Sequence, residues 1–251
     1  MQCRVRPIRR QPGSGGPGTG CVTSQAADES VWREEVRGVK QLRLDARIRE
    51  DLAQRIVARL EKAAPGSTAE LRGSLADGGA DQYSDIDVFW EVPDVLFQES
   101  VAHLPEILYE VQPVESLRSD PDFQNSDKRR LIFVQFEGIP LFWRVDLEIF
   151  AESIHKDREY DVHNEDAKGD DWSLTHSALM NTVGAVKALL RNREKEARQG
   201  LIRAFERVGL TAPEGSPQEL ILRLTESIAA MDPAKAGLAH RIQGLCRDAL
   251  G

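Results

Sequence analysis

The amino-acid sequence predicts an α+β fold, in which a mixed or antiparallel sheet with flanking helices is followed by an all-α helical bundle. Strand-like alternation of apolar and polar residues lies between positions 68 and 150. From residue 172 onward, apolar residues recur at intervals of three and four, which is typical of amphipathic helices. Because the two patterns are separated along the chain, we expect different segments to form the sheet and the bundle.

The individual elements follow from this periodicity and from the residues that interrupt it. The predicted strands span residues 68–73, 86–92, 114–117, 130–136 and 141–150. The last two are joined by Glu137-Gly138-Ile139-Pro140 and are expected to form an antiparallel hairpin. The predicted helices span residues 29–64, 94–110, 172–208, 216–230 and 233–250, and the segment 172–208 is expected to be either one helix or a helix with a break.

These elements suggest four regions. Residues 1–28 are rich in Gly, Ser, Pro and Arg and are expected to form a disordered tail. Residues 29–155 contain all the predicted strands and form the first domain. Residues 156–171 are charged and irregular, as in a linker, and residues 172–251 form the helical C-terminal domain.

Composition narrows the classes of function. The chain has 251 residues and a net charge of −8, whereas nonspecific nucleic-acid binders usually present a basic face, so nucleic acid is not an expected partner. No run of about 18 apolar residues occurs, so no membrane span is expected. The basic N-terminus lacks the apolar segment of a secretory signal, and we expect a cytoplasmic protein. The sequence leaves the oligomeric state open.

One short stretch carries the chemistry. It begins at Gly73-Ser74, continues through Gly78-Gly79, and ends at Ser84-Asp85-Ile86-Asp87. In a strand, residues two apart share a face, so Asp85 and Asp87 are expected to lie side by side. Adjacent carboxylates repel each other unless a cation lies between them, and Mg²⁺ held by carboxylates and substrate phosphates meets that need.

The strand predicted at 141–150 supplies a third carboxylate. Arg144, Asp146 and Glu148 alternate there with apolar residues and are expected to share the polar face. If this strand lies beside the one that bears Asp87, the carboxylates converge. Asp146 is the first choice for the third position, Glu148 is its rival, and a surface ion pair between Asp146 and Arg144 is the alternative.

The stretch from Gly73 to Asp87 resembles the signature of the DNA polymerase beta-like nucleotidyltransferase superfamily. It is especially similar to the adenylyltransferases that modify streptomycin and spectinomycin. The resemblance implies that residues 29–155 have the nucleotidyltransferase fold, that Asp85, Asp87 and Asp146 are catalytic metal ligands, and that Gly73 and Ser74 bind nucleotide phosphates. Ser84, within the motif, is included among the predicted nucleotide-binding residues, and so is Lys187, which could reach the phosphates from the first C-terminal helix.

The resemblance therefore implies Mg²⁺-dependent transfer of AMP from ATP to a hydroxyl of a small acceptor, with an aminoglycoside-like antibiotic as the best single choice. Two alternatives stay open. The same site could modify a protein or a tRNA, as minimal toxin and antitoxin members of the superfamily do, or the protein could be a non-catalytic nucleotide sensor. Trp143 and Trp172 could stack on a base, although packing is the favoured role for both.

Overall fold

The computed structural model describes residues 44–250. The predicted tail and residues 29–43 of the first predicted helix lie outside the described residues. The described residues belong to one compact unit. None of the described helices is both long enough and apolar enough to cross a membrane.

Strands and helices occur in the predicted order. The strands are β1 (Thr68–Arg72), β2 (Ile86–Val92), β3 (Val114–Ser119), β4 (Arg129–Phe136) and β5 (Val145–Ala151). The helices before the sheet is complete are α1 (Ala46–Ala63), α2 (Gly73–Ala76), α3 (Phe97–Ala102) and α4 (Leu104–Tyr109). The helices of the C-terminal region are α5 (Leu174–Leu190), α6 (Glu194–Arg207), α7 (Pro217–Met231) and α8 (Ala236–Leu250).

The five strands form one mixed sheet in the order β1-β2-β5-β4-β3. The β2–β5 pair is parallel, and the other three pairs are antiparallel. The α+β class, the antiparallel pairing of β4 with β5, and the helical C-terminal region are therefore confirmed. The parallel pairing places β5 directly beside β2, which the convergence of the predicted carboxylates required.

One face of this sheet is apolar, and the other carries aspartates near the start of β2 and of β5. Val88 and Trp90 of β2, with Leu147 of β5, are fully buried in the hydrophobic core, which also takes in Leu52 and Ile56 of α1. The residues between them, among them the aspartates of β2 and β5, are directed to the opposite face because side chains alternate along a strand.

Several predicted boundaries are wrong for identifiable reasons. The first predicted helix is not helical at residues 44 and 45, because the Asp45 side chain accepts a hydrogen bond from the Arg47 backbone N–H and caps α1. The helix predicted at 94–110 is broken at His103 into a 3₁₀ turn, α3 and α4. Pro105 starts the new helix because it has no N–H with which to continue the old one.

The hairpin prediction also placed the start of β5 too early. Residues 141–144 precede the strand, and the Trp143 backbone N–H bonds to the Pro140 carbonyl in a turn. Leu141, Phe142 and Trp143 are all buried, so the run lacks the alternation of a half-buried strand. The indole of Trp143 donates to the Gln82 carbonyl, and its role is thus packing and loop support.

The C-terminal helices share one core with the sheet. Val183 of α5, Leu201 of α6, Leu224 of α7 and Ile242 of α8 belong to the same buried cluster as the apolar face of the sheet. The predicted break falls between α5 and α6, where Asn192 has a left-handed backbone conformation (φ 59°). The predicted division into residues 29–155, a linker, and residues 172–251 stays a prediction.

Candidate active site

The glycine that opens the motif lies against one of its aspartates. Gly73 follows β1 with φ +57°, a conformation that side chains other than glycine's rarely adopt. A Cβ atom at this position would lie 2.5 Å from Oδ2 of Asp87. Both the backbone conformation and the close approach therefore require glycine here. Ser74 is half-buried in the single helical turn that follows.

Strand register aligns the predicted carboxylates. Asp87 of β2 is paired with Asp146 of the parallel strand β5, and with Arg72 of β1 on its other side. Residues paired in register point to the same face, so Asp87 and Asp146 are neighbours on the polar face. Asp85 lies two residues before Asp87, just ahead of the start of β2.

Register also separates Asp146 from its rival. Glu148 is paired with Phe89, one row away from Asp87. The Glu148 carboxylate is 13% exposed and is bonded by Arg158, with Arg129 at 3.7 Å. Glu148 therefore helps to fasten residues 152–170 to the sheet, whereas Asp146 lies in the row of Asp87.

The C-terminal helical region contributes a buried cation to the site. Nζ of Lys187, on α5, lies 2.6 Å from Oδ1 of Asp85, and the Lys187 side chain is 9% exposed. Burial lowers the pKa of Lys187, and the neighbouring Asp85 opposes this shift. Lys187 is thus buried against Asp85 and does not lie on a solvated face of α5.

Ser84 holds the loop in front of β2. Its hydroxyl donates to Oδ1 of Asp81 and accepts from the Asp81 backbone N–H, each at 3.1 Å. Asp81 also forms a two-point ion pair with Arg191 of α5, with both N–O distances at 2.7 Å. This pairing holds the Asp81 pKa well below its usual range. The predicted contact between Ser84 and nucleotide stays a prediction.

Asp146 is engaged by the arginine two residues before it. Nε and Nη2 of Arg144 each lie 2.6 Å from an oxygen of Asp146, so the pairing named as the alternative at the sequence level is present. The two side chains are 25% and 22% exposed. Burial raises the pKa of Asp146, and the Arg144 guanidinium offsets part of that rise.

Asp87, in contrast, has no hydrogen-bond or ion-pair partner among residues 44–250. Burial, together with the negative charges of Asp146 and Asp85, raises its pKa to about 6. An ionised Asp87 is therefore costly in this arrangement, and a cation beside it would relieve the cost. Such crowding of carboxylates is typical of sites that bind a metal ion.

The side chains fit a magnesium ion in kind. Carboxylate oxygens are the ligands that Mg²⁺ prefers. Asp87 and Asp146 are paired on adjacent strands, and Asp85 lies two residues before Asp87, just ahead of β2. As arranged, however, Lys187 and Arg144 occupy two of the carboxylates, and within residues 44–250 no three His, Cys, Asp or Glu side chains form a ready metal cluster. The roles of Asp85, Asp87 and Asp146 as metal ligands stay a proposal.

Sequence analysis missed Arg118. It lies on β3 and is paired with Phe133, which is in turn paired with Asp146. The predicted strand ended at residue 117, so Arg118 was not predicted to lie on a strand, whereas β3 extends to Ser119. The paired residues that join Arg118 to Asp146 across the sheet can be recognised only from the order of the strands.

The chain matches no protein-family model and no curated protein. Among solved structures, it is similar to a cytoplasmic RNA terminal U-transferase, with 15% identity over 70% of this chain and 46% of that one, and a TM-score of 0.34. It is also similar to the polymerase core of TRAMP, an RNA surveillance complex, with 12% identity over 77% of this chain and 53% of that one, and a TM-score of 0.34.

A non-canonical poly(A) polymerase complex gives 13% identity over 81% of this chain and 76% of that one, with a TM-score of 0.30. The chain spans about half the length of the terminal U-transferase. At such TM-scores, these likenesses support no inference about chemistry. The chemistry proposed below rests on the residues of the site.

Proposed function

We propose that this protein is a metal-dependent nucleotidyltransferase that transfers a nucleoside monophosphate from a nucleoside triphosphate to an acceptor hydroxyl. The observation that carries the proposal is the pairing of Asp87 with Asp146, together with the close approach of the Gly73 backbone to the Asp87 carboxylate. A glycine lets the backbone come close to carboxylates, which suits a site for a triphosphate and its metal ion.

Each residue has a role in the proposed reaction. Asp85, Asp87 and Asp146 would hold Mg²⁺, which would supply positive charge to the phosphate oxygens and to the departing pyrophosphate. Ser74 and the backbone around Gly73 receive the phosphates. Lys187 lies 2.6 Å from Asp85 and neutralises it. We assign the Lys187 ammonium to the phosphates of the donor as well.

The transfer step is a single displacement at the α-phosphorus. The acceptor hydroxyl oxygen forms a bond to that phosphorus, the bond to the bridging oxygen of pyrophosphate breaks, and pyrophosphate leaves. Asp146 accepts the hydroxyl proton as general base, a role that typically contributes about 10²- to 10⁴-fold in rate. We assign this role to Asp146 because it lies in the row of Asp87, whereas Glu148 is enclosed by two arginines.

The resemblance of the loop favours ATP as donor and an aminoglycoside-like small molecule as acceptor. A second candidate, an acceptor that carries phosphate, is favoured by one observation. Arg118 on β3 lies on the side of Asp146 away from the glycine loop, and the Arg144 side chain packs on Phe133 of β4 on that same side. We assign this side to the acceptor. The expectation against nucleic acid rested on the net charge of the whole chain, which does not describe this local surface.

The test is a turnover assay with labelled ATP, GTP, CTP and UTP, each offered with aminoglycosides and with short RNA, in Mg²⁺ and in EDTA. We expect pyrophosphate release and labelled product with at least one pair of substrates. Asp85→Asn and Asp87→Asn should abolish both, while Glu91→Gln, on the same strand as Asp87, should leave them intact.

Two outcomes count against the proposal. Retained turnover in either aspartate variant would contradict the proposed role of the carboxylates. Tight Mg²⁺-independent ATP binding without transfer to any acceptor favours a nucleotide sensor instead.

A further inference from the structure

We infer that Arg118 forms an anion-binding subsite for the acceptor, and that the acceptor of this site carries a phosphate group. This inference rests on the proposed function and deepens it by naming the chemistry of the acceptor. It begins from the row of paired residues that crosses the sheet from Asp87 through Asp146 and Phe133 to Arg118. All four share one face of the sheet.

Arg118 is a desolvated cation with unused hydrogen-bonding capacity. Its Nε and Nη1 atoms are buried and have no hydrogen-bond partner among residues 44–250. Burial, together with the positive charge of Arg144, lowers the pKa of Arg118 to about 10. Buried guanidinium groups are normally paired because an unpaired N–H in a dry environment is costly. The natural partner is an oxyanion, which guanidinium binds at two points.

The carboxylates that act electrostatically on Arg118 are occupied elsewhere. These are Asp146 and Asp120. Asp146 is held at two points by Arg144, and Asp120 accepts the Asp122 backbone N–H as the cap of a 3₁₀ turn. Neither forms a hydrogen bond or an ion pair with Arg118. Asp146 and Asp120 therefore stabilise the charge of Arg118 from a distance but leave its Nε and Nη1 atoms without a hydrogen-bond acceptor.

Two aromatic rings fix the guanidinium in place. The Arg118 Cζ atom lies 4.9 Å from the centroid of the Trp172 ring and 5.5 Å from that of Phe133. The two rings lie 5.9 Å apart at an angle of 58°, and Arg144 covers Phe133 at 4.8 Å. Phe133 and Trp172 are both only half-buried. A guanidinium held between rings is preorganised to bind an anion, with apolar surface beside it for the rest of the acceptor.

The position assigns this subsite to the acceptor and not to the donor. The glycine loop follows β1 at one edge of the sheet, and Arg118 lies on β3 at the other edge, with Asp146 of β5 between them. In-line displacement places the attacking and leaving oxygens on opposite sides of phosphorus. An anion on Arg118 is thus on the attacking side, and a phosphate is the oxyanion that matches its two-point geometry.

The experiment measures acceptor binding with the donor site already filled. Wild-type protein is saturated with Mg²⁺ and the non-hydrolysable α,β-methylene analogue of ATP, and calorimetry then compares two pairs of probes. The dinucleotide ApA is compared with adenosine, and glucose 6-phosphate with glucose, while neomycin represents a cationic acceptor. We expect at least one phosphate-bearing probe to bind more tightly than its phosphate-free partner, and the pair that responds identifies the source of the phosphate.

Variants test whether Arg118 is responsible. Arg118→Gln should lower the affinity for the phosphate-bearing probe by about 10-fold or more and leave the affinity for its phosphate-free partner unchanged. Arg118→Lys, which keeps the charge but not the two-point geometry, should give an intermediate loss. Arg223→Gln, on an exposed position of α7, is the matched control. If Arg118→Gln does not fold, Arg118→Lys carries the test by itself.

Several results would overturn the inference. They are equal affinity for both members of each pair, a loss in Arg118→Gln that extends equally to the phosphate-free probes, and tight binding of neomycin that is indifferent to Arg118. A loss of the ATP analogue in the Arg118 variants would move the residue to the donor side. If the ATP analogue binds and its binding depends on Asp87, but Arg118 has no effect on any probe, the subsite is contradicted. The proposed transferase function is not.

Discussion

At the scale of single residues, Gly73 links the backbone to the carboxylate row. Two separate demands meet there: a left-handed backbone with φ +57°, and a Cβ position 2.5 Å from Oδ2 of Asp87. Gly78 also has a positive φ, +71°, but nothing lies within 4 Å of its Cβ position. Comparing substitutions of Gly73 and Gly78 therefore separates the effect of backbone strain from that of displacing Asp87.

Gly73→Ala should lose more than Gly78→Ala in both stability and activity. Each replacement costs about 1–3 kcal/mol of unfolding free energy through backbone strain. Only Gly73→Ala also pushes Asp87 out of its row, and it should abolish most of the transfer. Chemical denaturation and a transfer assay measure the two effects. Equal activity in the two variants would show that the contact with Asp87 is unimportant.

Asp87 should make the metal-free protein less stable as it ionises. Its pKa in the folded state, about 6, lies above the ordinary aspartate value of 3.8, so the folded state binds the proton more tightly than the unfolded state. The contribution of Asp87 to stability is therefore present below pH 4 and is lost as the pH rises towards 6 and beyond.

Asp87→Asn should accordingly stabilise the metal-free protein at pH 7.5 while it abolishes transfer. After allowance for solvent screening of a half-buried group, we expect a gain of about 1 kcal/mol, or about 2–4 °C in Tm. The gain should shrink towards zero at pH 4. Thermal melts across this range, with Glu91→Gln as control, measure it. A gain that does not depend on pH would contradict the assigned pKa.

At the scale of elements, the end of α5 carries two ion pairs to the motif loop. Lys187 reaches Asp85, within the proposed metal site, and Arg191 reaches Asp81, which only shapes the loop. The first pair is more buried, with Lys187 9% exposed, whereas Arg191 is 28% exposed. The two cations lie four residues apart, so each serves as the control for the other.

Lys187→Met should lower the unfolding free energy by about 1–2 kcal/mol, between the values for exposed and fully buried pairs, because it leaves the Asp85 charge without its partner. It should also lower kcat, since its ammonium is lost from the proposed phosphate site. Arg191→Gln should cost about 1 kcal/mol or less and change kcat by less. Steady-state kinetics measures kcat, and chemical denaturation measures the unfolding free energy. An equal fall in kcat for both variants would argue against a phosphate role for Lys187.

The sheet shows how much of the site was predictable at the element scale. β2 was predicted with its observed bounds, because Ile86–Val92 is strongly apolar and follows a glycine-rich loop. The pairing of Asp87 with Asp146 was not predictable, since it needs β5 to lie parallel to β2 after two intervening strands. Strand pairing depends on which apolar faces pack together, and no local pattern records that choice.

At the scale of the whole molecule, the sheet and the C-terminal helices share one hydrophobic core. We expect residues 44–251 to unfold in a single cooperative transition, because separating the two parts would expose apolar residues of both. Differential scanning calorimetry measures this, and two separate transitions would contradict it. A fragment that ends at residue 171 should lack cooperative unfolding by circular dichroism.

The sequence by itself determined the order of strands and helices, the glycine loop, and the Asp85–Asp87 pair at the start of β2, because turn residues and periodic patterns are local. Tertiary structure decided that Asp146 and not Glu148 lies beside Asp87, that Lys187 is buried against Asp85, and that Arg118 lies in the same row. Each of these depends on elements far apart in the chain that come together because their apolar faces are buried in a common core.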